Sequence, residues 1–115
     1  MALTKVPTNL IQTRTVTVST GATITPTSAT ADVYEVTALD TATSIAAPSG
    51  APDNNQRLLL KIRDNGTARA LTWDAVYRVV EVTLPTTTTI NKTLYVGCIY
   101  NTTDSKWDVL AVGQT

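Results

Sequence analysis

At 115 residues the chain fits a single domain, which at this size can bury about two-thirds of its unfolded surface without disulfide staples. Charged residues make up only 16%, and nine basic side chains balance nine acidic ones; no basic field exists to gather phosphates, which argues against nucleic acid as a partner. The absence of histidine excludes the usual zinc sites, imidazole acid–base chemistry and Ser-His or Cys-His nucleophiles.

Threonine is the commonest residue and phenylalanine is absent, a composition that favours pleated, half-buried surface over helix. An all-β fold is expected. A weakly charged surface of zero net charge resists self-association poorly, which points to an oligomer or a larger assembly. The N-terminus lacks the apolar stretch of a signal peptide, and no run approaches the ~20 apolar residues of a membrane span. A chain made and kept in a cytoplasm, with no membrane partner, is therefore expected.

Met1 to Leu10 has no period, and Pro7 breaks any helix or central strand that might pass through it. From Ile11 to Ser19 apolar and polar residues alternate, which is a first strand. Gly21, Pro26 and the small polar run through Ala31 interrupt it and leave ATIT as a short edge strand at most. Residues 1–31 thus read as an extended N-terminal arm suited to a neighbour's surface, or else as a strand and long loop of the same domain. The domain proper is expected over 32–115.

At Asp32 the character changes. Val33, Glu35 and Thr37 alternate with Tyr34, Val36 and Ala38 in a second strand, and TSIAA continues as a third. Pro48 to Asn55 is turn chemistry. Leu58, Leu60 and Ile62 then share one face of an extended segment, and Asp64-Asn65-Gly66 predicts a type I′ hairpin returning through Ala68 to Trp73. Four valines decide Asp74 to Leu84 for strand, ended by Pro85; Thr86 to Thr89 is a loop. In KTLYVGCIY both faces are apolar, so this strand should be central and covered on both sides. Cys98 within it reads as a buried, inert thiol. A turn over Asn101 to Lys106 leads to a last strand, WDVLAV. Seven or eight short strands at regular spacing predict an antiparallel β-sandwich or small barrel.

Candidate chemistry is sparse. Scattered glycines match no nucleotide-binding loop, and no run resembles an EF-hand. Two carboxylates can suffice for a glycosidase, but Asp64 and Asp104 read as turn residues and Asp74 and Asp108 as solvent-face residues. Four tyrosines and two tryptophans could stack on sugars, although the core needs most of them. Three Asn-X-Thr triplets, beginning at Asn65, Asn91 and Asn101, read as ordinary turns where no signal peptide precedes them. No catalytic, cofactor or metal residues are assigned, and the chain is not expected to be an enzyme. Arg57, Arg63, Arg69 and Arg78, with Lys61, gather on the expected hairpin and its neighbour. They form either a patch that pairs with a partner's carboxylates or a solvated face whose charges block edge pairing.

The run from Asp32 onward, with APSGAPDNNQRLLLKIRDNGTARALTW, then YR, then LPTTTTINKTLYVGCIYNTTDSKWDVLAV, resembles a small β-domain of tailed-bacteriophage virion proteins, both head-decoration-like and tail-fibre-like. RDNGTARALTW and YVGCIYNTTDSKWDV are its most specific pieces. The resemblance implies a structural virion module, often trimeric, with no catalytic residues to carry over. A short arm in place of a long shaft points to a capsid decoration or cement protein, a homotrimer on the major capsid protein or another virion protein. It would be assembled in the host cytoplasm. A receptor- or glycan-binding module of a tail fibre is the alternative, and a carboxylate-based glycosidase a third reading.

Overall fold

The structure, a computed structural model, describes residues 13–115. These residues form nine strands and no helix: β1 (Thr15–Val18), β2 (Thr23–Ile24), β3 (Val33–Leu39), β4 (Thr43–Ile45), β5 (Arg57–Asp64), β6 (Leu71–Trp73), β7 (Tyr77–Val79), β8 (Thr93–Asn101) and β9 (Lys106–Gln114). A six-stranded sheet has the order β1-β3-β5-β8-β9-β7, and a three-stranded sheet the order β2-β4-β6.

The path between the sheets is a winding one. β1, β3 and β5 lie side by side in parallel, with Thr15 opposite Val33 and Val33 opposite Leu59. β2, β4 and β6 do the same in the second sheet. Each of three successive turns of chain therefore lays one strand in each sheet and stacks on the turn before it, as repeats stack in a solenoid. A parallel bridge between Thr27 and Ser49 ties the first two returns together. Only β5–β8 and β8–β9 pair antiparallel, while β7 joins β9 in parallel. The all-β expectation holds; the antiparallel arrangement does not, because the strands of the winding half never double back on one another.

The local reason lies at Asp64. The type I′ turn expected there needs two positive φ values. Gly66 supplies one at +101°, but Asn65 is not left-handed. Asp64 instead accepts a hydrogen bond from the Gly66 N–H at 3.0 Å, and the Asn65 N–H donates to the Leu39 carbonyl on β3. The chain is thereby aimed out of the six-stranded sheet. β6 pairs with β4, and the antiparallel neighbour of β5 is β8.

The alternation in β5 works as the pattern predicts. Leu58, Leu60 and Ile62 are buried with Val36, Val96 and Val109 from the same sheet and Ile24, Ile45 and Leu71 from the other, in one core. Each such side chain contributes about 1.5–3 kcal/mol relative to exposure. Trp107 and Tyr77 fill the far end; the Tyr77 hydroxyl donates to the Ala46 carbonyl at 2.8 Å and so links the two sheets. The strand expected over Asp74 to Leu84 is three residues long, since Glu81 takes φ of +57° and turns the chain away.

The expected arm is described only from residue 13, residues 1–12 lying outside the described part. From there to Ala31 it is strand and packed loop: Ile24, Pro26, Ser28 and Ala31 are buried. Asp32 accepts from Arg14 at 2.8 Å, across the boundary expected at residue 31.

Candidate functional site

The outer face of the six-stranded sheet gathers most of the side chains singled out in the sequence. Arg57, Leu59, Lys61 and Arg63 alternate with the buried residues of β5 and so point outward. Register then aligns rows across the sheet. Arg57 lies opposite Ile99, Ile99 opposite Asp108, and Asp108 opposite Arg78. The next row runs Val33, Leu59, Gly97, Ala111, and beyond it Glu35, Lys61, Tyr95, Gly113.

β8 is central in the sheet, as its apolar faces predict, but the described residues cover it on one side only. Leu94, Val96 and Cys98 are buried, whereas Tyr95 is exposed and Gly97 and Ile99 are half-buried. A register shift between β8 and β9 places Gly97 opposite Ala111 and Cys98 opposite Val109. Leu110 is the extra residue, bulged out of the ladder and 52% exposed. The result is a shallow trough of about 260 Å³ lined by Leu59, Gly97, Ile99, Leu110 and Ala111, with Arg57 the one charged residue that lines it among the described residues.

Arg78 is held by two carboxylates. Its Nε lies 2.7 Å from Asp108 Oδ1 and its Nη1 3.0 Å from Asp104 Oδ2. Hydrogen bonding from Arg78 holds the Asp108 carboxyl below the usual range, against the effect of burial. Asp108 is therefore an ionised anchor and not a proton donor at neutral pH. Lys61 pairs with Glu35 at 3.6 Å and sits 5.7 Å from the centre of the Tyr95 ring. Arg57 and Arg63 have no ion pair among the described residues. Arg63 borders a second, polar depression with Glu35, Thr37, Lys61 and Thr93.

Arg69 lies apart from this face, on the connection between β5 and β6, where its guanidinium donates to Asn65 Oδ1 at 3.0 Å. Of the four arginines proposed as contacts, the sheet brings together Arg57, Arg63 and Arg78 and leaves out Arg69. The sequence reading missed Gly97, Ile99 and the bulged Leu110; the signal of the first two was the apolar second face of KTLYVGCIY, which was assigned to internal burial, and Leu110 lies in WDVLAV, where no sequence signal marks the bulge.

Asp64 corrects a further expectation. It is 2% exposed, not a surface turn residue. Burial alone would raise its pKa, but donors from Thr88, Asn91 and Gly66 and the charge of Arg63 outweigh that and lower it. A catalytic acid needs the opposite shift. Cys98 is buried, and burial pushes its thiol up to about 12. Among the described residues no group of three or more His, Cys, Asp or Glu is placed to hold a metal ion, and no helix is long and apolar enough to cross a membrane. Comparison with protein-family models, with curated proteins and with solved structures found no match to the chain.

Proposed function

We propose that this chain is a bacteriophage virion structural protein, a capsid decoration or cement protein that binds the major capsid protein or another virion protein. The observation that carries the reading is the outer face of the six-stranded sheet, uncovered among the described residues, where an apolar trough adjoins Arg57 and Arg78 sits between the carboxylates of Asp108 and Asp104. Contact surfaces combine an apolar centre with a polar, charged rim in this way. The two sheets act as the rigid body behind that face, closing on a common core as a sandwich does. The mechanism is mechanical: many copies, each making a modest contact, together resist expansion of a shell. The working location is the virion, after assembly in the host bacterial cytoplasm.

A tail-fibre module with a receptor- or glycan-binding role is the second reading, and the stacked turns of β1 to β6 favour it. An architecture of that kind extends by adding turns. Removing residues 1–31 cannot separate the two readings, since it would also take away β1 and β2. Co-sedimentation of the protein with capsids of its own phage that lack it can. Saturable binding that Leu110→Glu abolishes supports the decoration role; no binding to shells, with retention on a bacterial surface glycan, supports the fibre module.

A further inference from the structure

We propose that Asn65 is a self-processing site, at which water converts the side-chain amide into a carboxylate with Gly66, Arg69 and Asp64 as the groups that drive the change. The site is the turn after β5, apart from the outer sheet face and independent of any partner there. The guanidinium of Arg69 is half used at this turn. Its Nη2 donates to Asn65 Oδ1 at 3.0 Å, whereas its Nε is buried and has no hydrogen-bond partner among the described residues. Nε and Nη2 form one edge of the guanidinium, and that edge matches the two oxygens of a carboxylate. The fold fills the same edge in this way twice elsewhere. Arg14 donates from Nε and Nη2 to Asp32 at 3.2 and 2.8 Å, and Arg78 donates from the same two atoms to Asp108 at 2.7 and 3.1 Å. An asparagine offers such an edge one acceptor oxygen, an aspartate two. A buried donor left unpaired is costly, so the unmatched Nε points to a carboxylate as the form of residue 65 that this arginine is built to hold.

The groups for the conversion are already in contact. Arginine has only donors, so its bond to Asn65 fixes the amide oxygen toward Arg69 and leaves Nδ2 as the group that departs. The same bond draws electrons from Cγ and stabilises the negative charge that develops on Oδ1. The nucleophile is the Gly66 nitrogen. A backbone amide attacks only as its proton is drawn away, and the Gly66 N–H donates to Asp64 Oδ1 at 3.0 Å, within the reach a general base requires. Gly66 has no side chain to shield its nitrogen, and it and Asn65 are both exposed, so water reaches them. In the first step the bond from Gly66 N to Asn65 Cγ forms and the amide proton passes to Asp64. The Cγ–Nδ2 bond then breaks, and that proton leaves with Nδ2 in ammonia, which closes a succinimide ring. In the second step water adds at Cγ, the bond from Cγ to the Gly66 nitrogen breaks with its electron pair returning to nitrogen, and one proton of the water restores the Gly66 N–H. The water oxygen stays as the second carboxylate oxygen, and the remaining proton turns ammonia into ammonium. Arg69 polarises the same Cγ carbonyl in both steps, which directs the water there and gives aspartate in place of the β-linked isomer.

Peptide mapping of the full chain, held folded at neutral pH in water labelled with heavy oxygen, tests this. Trypsin cuts after Arg63 and Arg69 and so releases residues 64–69 as one peptide, which synthesised alone carries the same residues without the fold. The expected result is heavy oxygen in the side chain of residue 65 as aspartate, at a rate about tenfold or more above that of the free peptide. Arg69→Gln and Arg69→Lys, each checked for folding by circular dichroism, should bring the rate down toward the peptide's, because neither offers the paired donors of the guanidinium edge. In nitrogen–proton spectra the Arg69 Nε–H signal should shift as conversion proceeds, and the shifted signal should be present from the start in Asn65→Asp. A folded chain that converts no faster than the peptide overturns the inference, as does a rate indifferent to Arg69 or the β-linked isomer as main product. If neither arginine variant folds, the comparison of chain with peptide still decides, and an Nε–H signal that is the same in Asn65→Asp and in unconverted wild type sinks the proposal.

Discussion

Asp64 shows how one side chain can decide a path. Its carboxylate accepts from Thr88 Oγ1 at 2.8 Å, from the Gly66 N–H at 3.0 Å and from the Asn91 N–H at 3.1 Å. It thereby fastens the end of β5 to the loop before β8. Asparagine would keep the shape but aim an amide N–H₂ at donors. Asp64→Asn should therefore lose about 2–3 kcal/mol of unfolding free energy at neutral pH, measured by urea titration. Because the folded carboxyl has a lowered pKa, its stabilisation is fully present above the unfolded value of about 3.9 and is lost as pH falls through the lower folded value. The difference between variant and wild type should shrink over that acid window. A constant difference down to the lowest pH would rule out an ionised carboxylate as its source. The sequence shows an Asp-Asn-Gly turn and nothing of this burial, since two of the three donors lie more than twenty residues away.

At the level of elements, alternation located most strands and their inward faces. Val36, Leu58, Leu60, Ile62, Val96 and Val109 are core as their period requires. Which strands pair was not legible. Parallel partners such as Thr15 and Val33 or Val33 and Leu59 are joined by long connections, and alternation has the same period whichever neighbour a strand takes. The turn signal at Asn65-Gly66 was real as a bend and misleading as a hairpin. The candidate site was half visible: the arginines stood out by charge and Leu59 shared their face by alternation, whereas Ile99 looked like a core residue and nothing singled out Leu110 until register placed both on the open face. Gly97→Ala belongs to this scale. It should leave stability unchanged or raise it by up to about 1 kcal/mol. A large loss of stability would mean that the glycine is needed inside the single chain. Trp107→Ala, in contrast, should cost about 3–5 kcal/mol, since the ring is 2% exposed and packs on Tyr100 at 5.1 Å between centroids.

For the whole molecule, the winding explains why residues 13–31 belong to the body. They supply the first turn, and without it β3 and β4 become edges. Deletion of residues 1–31 should abolish cooperative unfolding in urea instead of yielding a trimmed, stable domain; a sharp transition of the remaining chain would contradict the stacked description. Among the described residues the same architecture leaves a broad sheet face open, and that face holds the trough, the bulge and Arg57, which makes no ion pair there. Cys98 makes it convenient to probe, because a buried thiol gives little background labelling. The most direct measurement is the rate of maleimide labelling of Leu110→Cys in the free chain and on capsids of its own phage that lack the protein. The account predicts fast labelling of the free chain and protection on the shell. Labelling at one rate in both states would contradict it, whether that rate is fast, which means the shell does not cover the face, or slow, which means the face is covered within the chain.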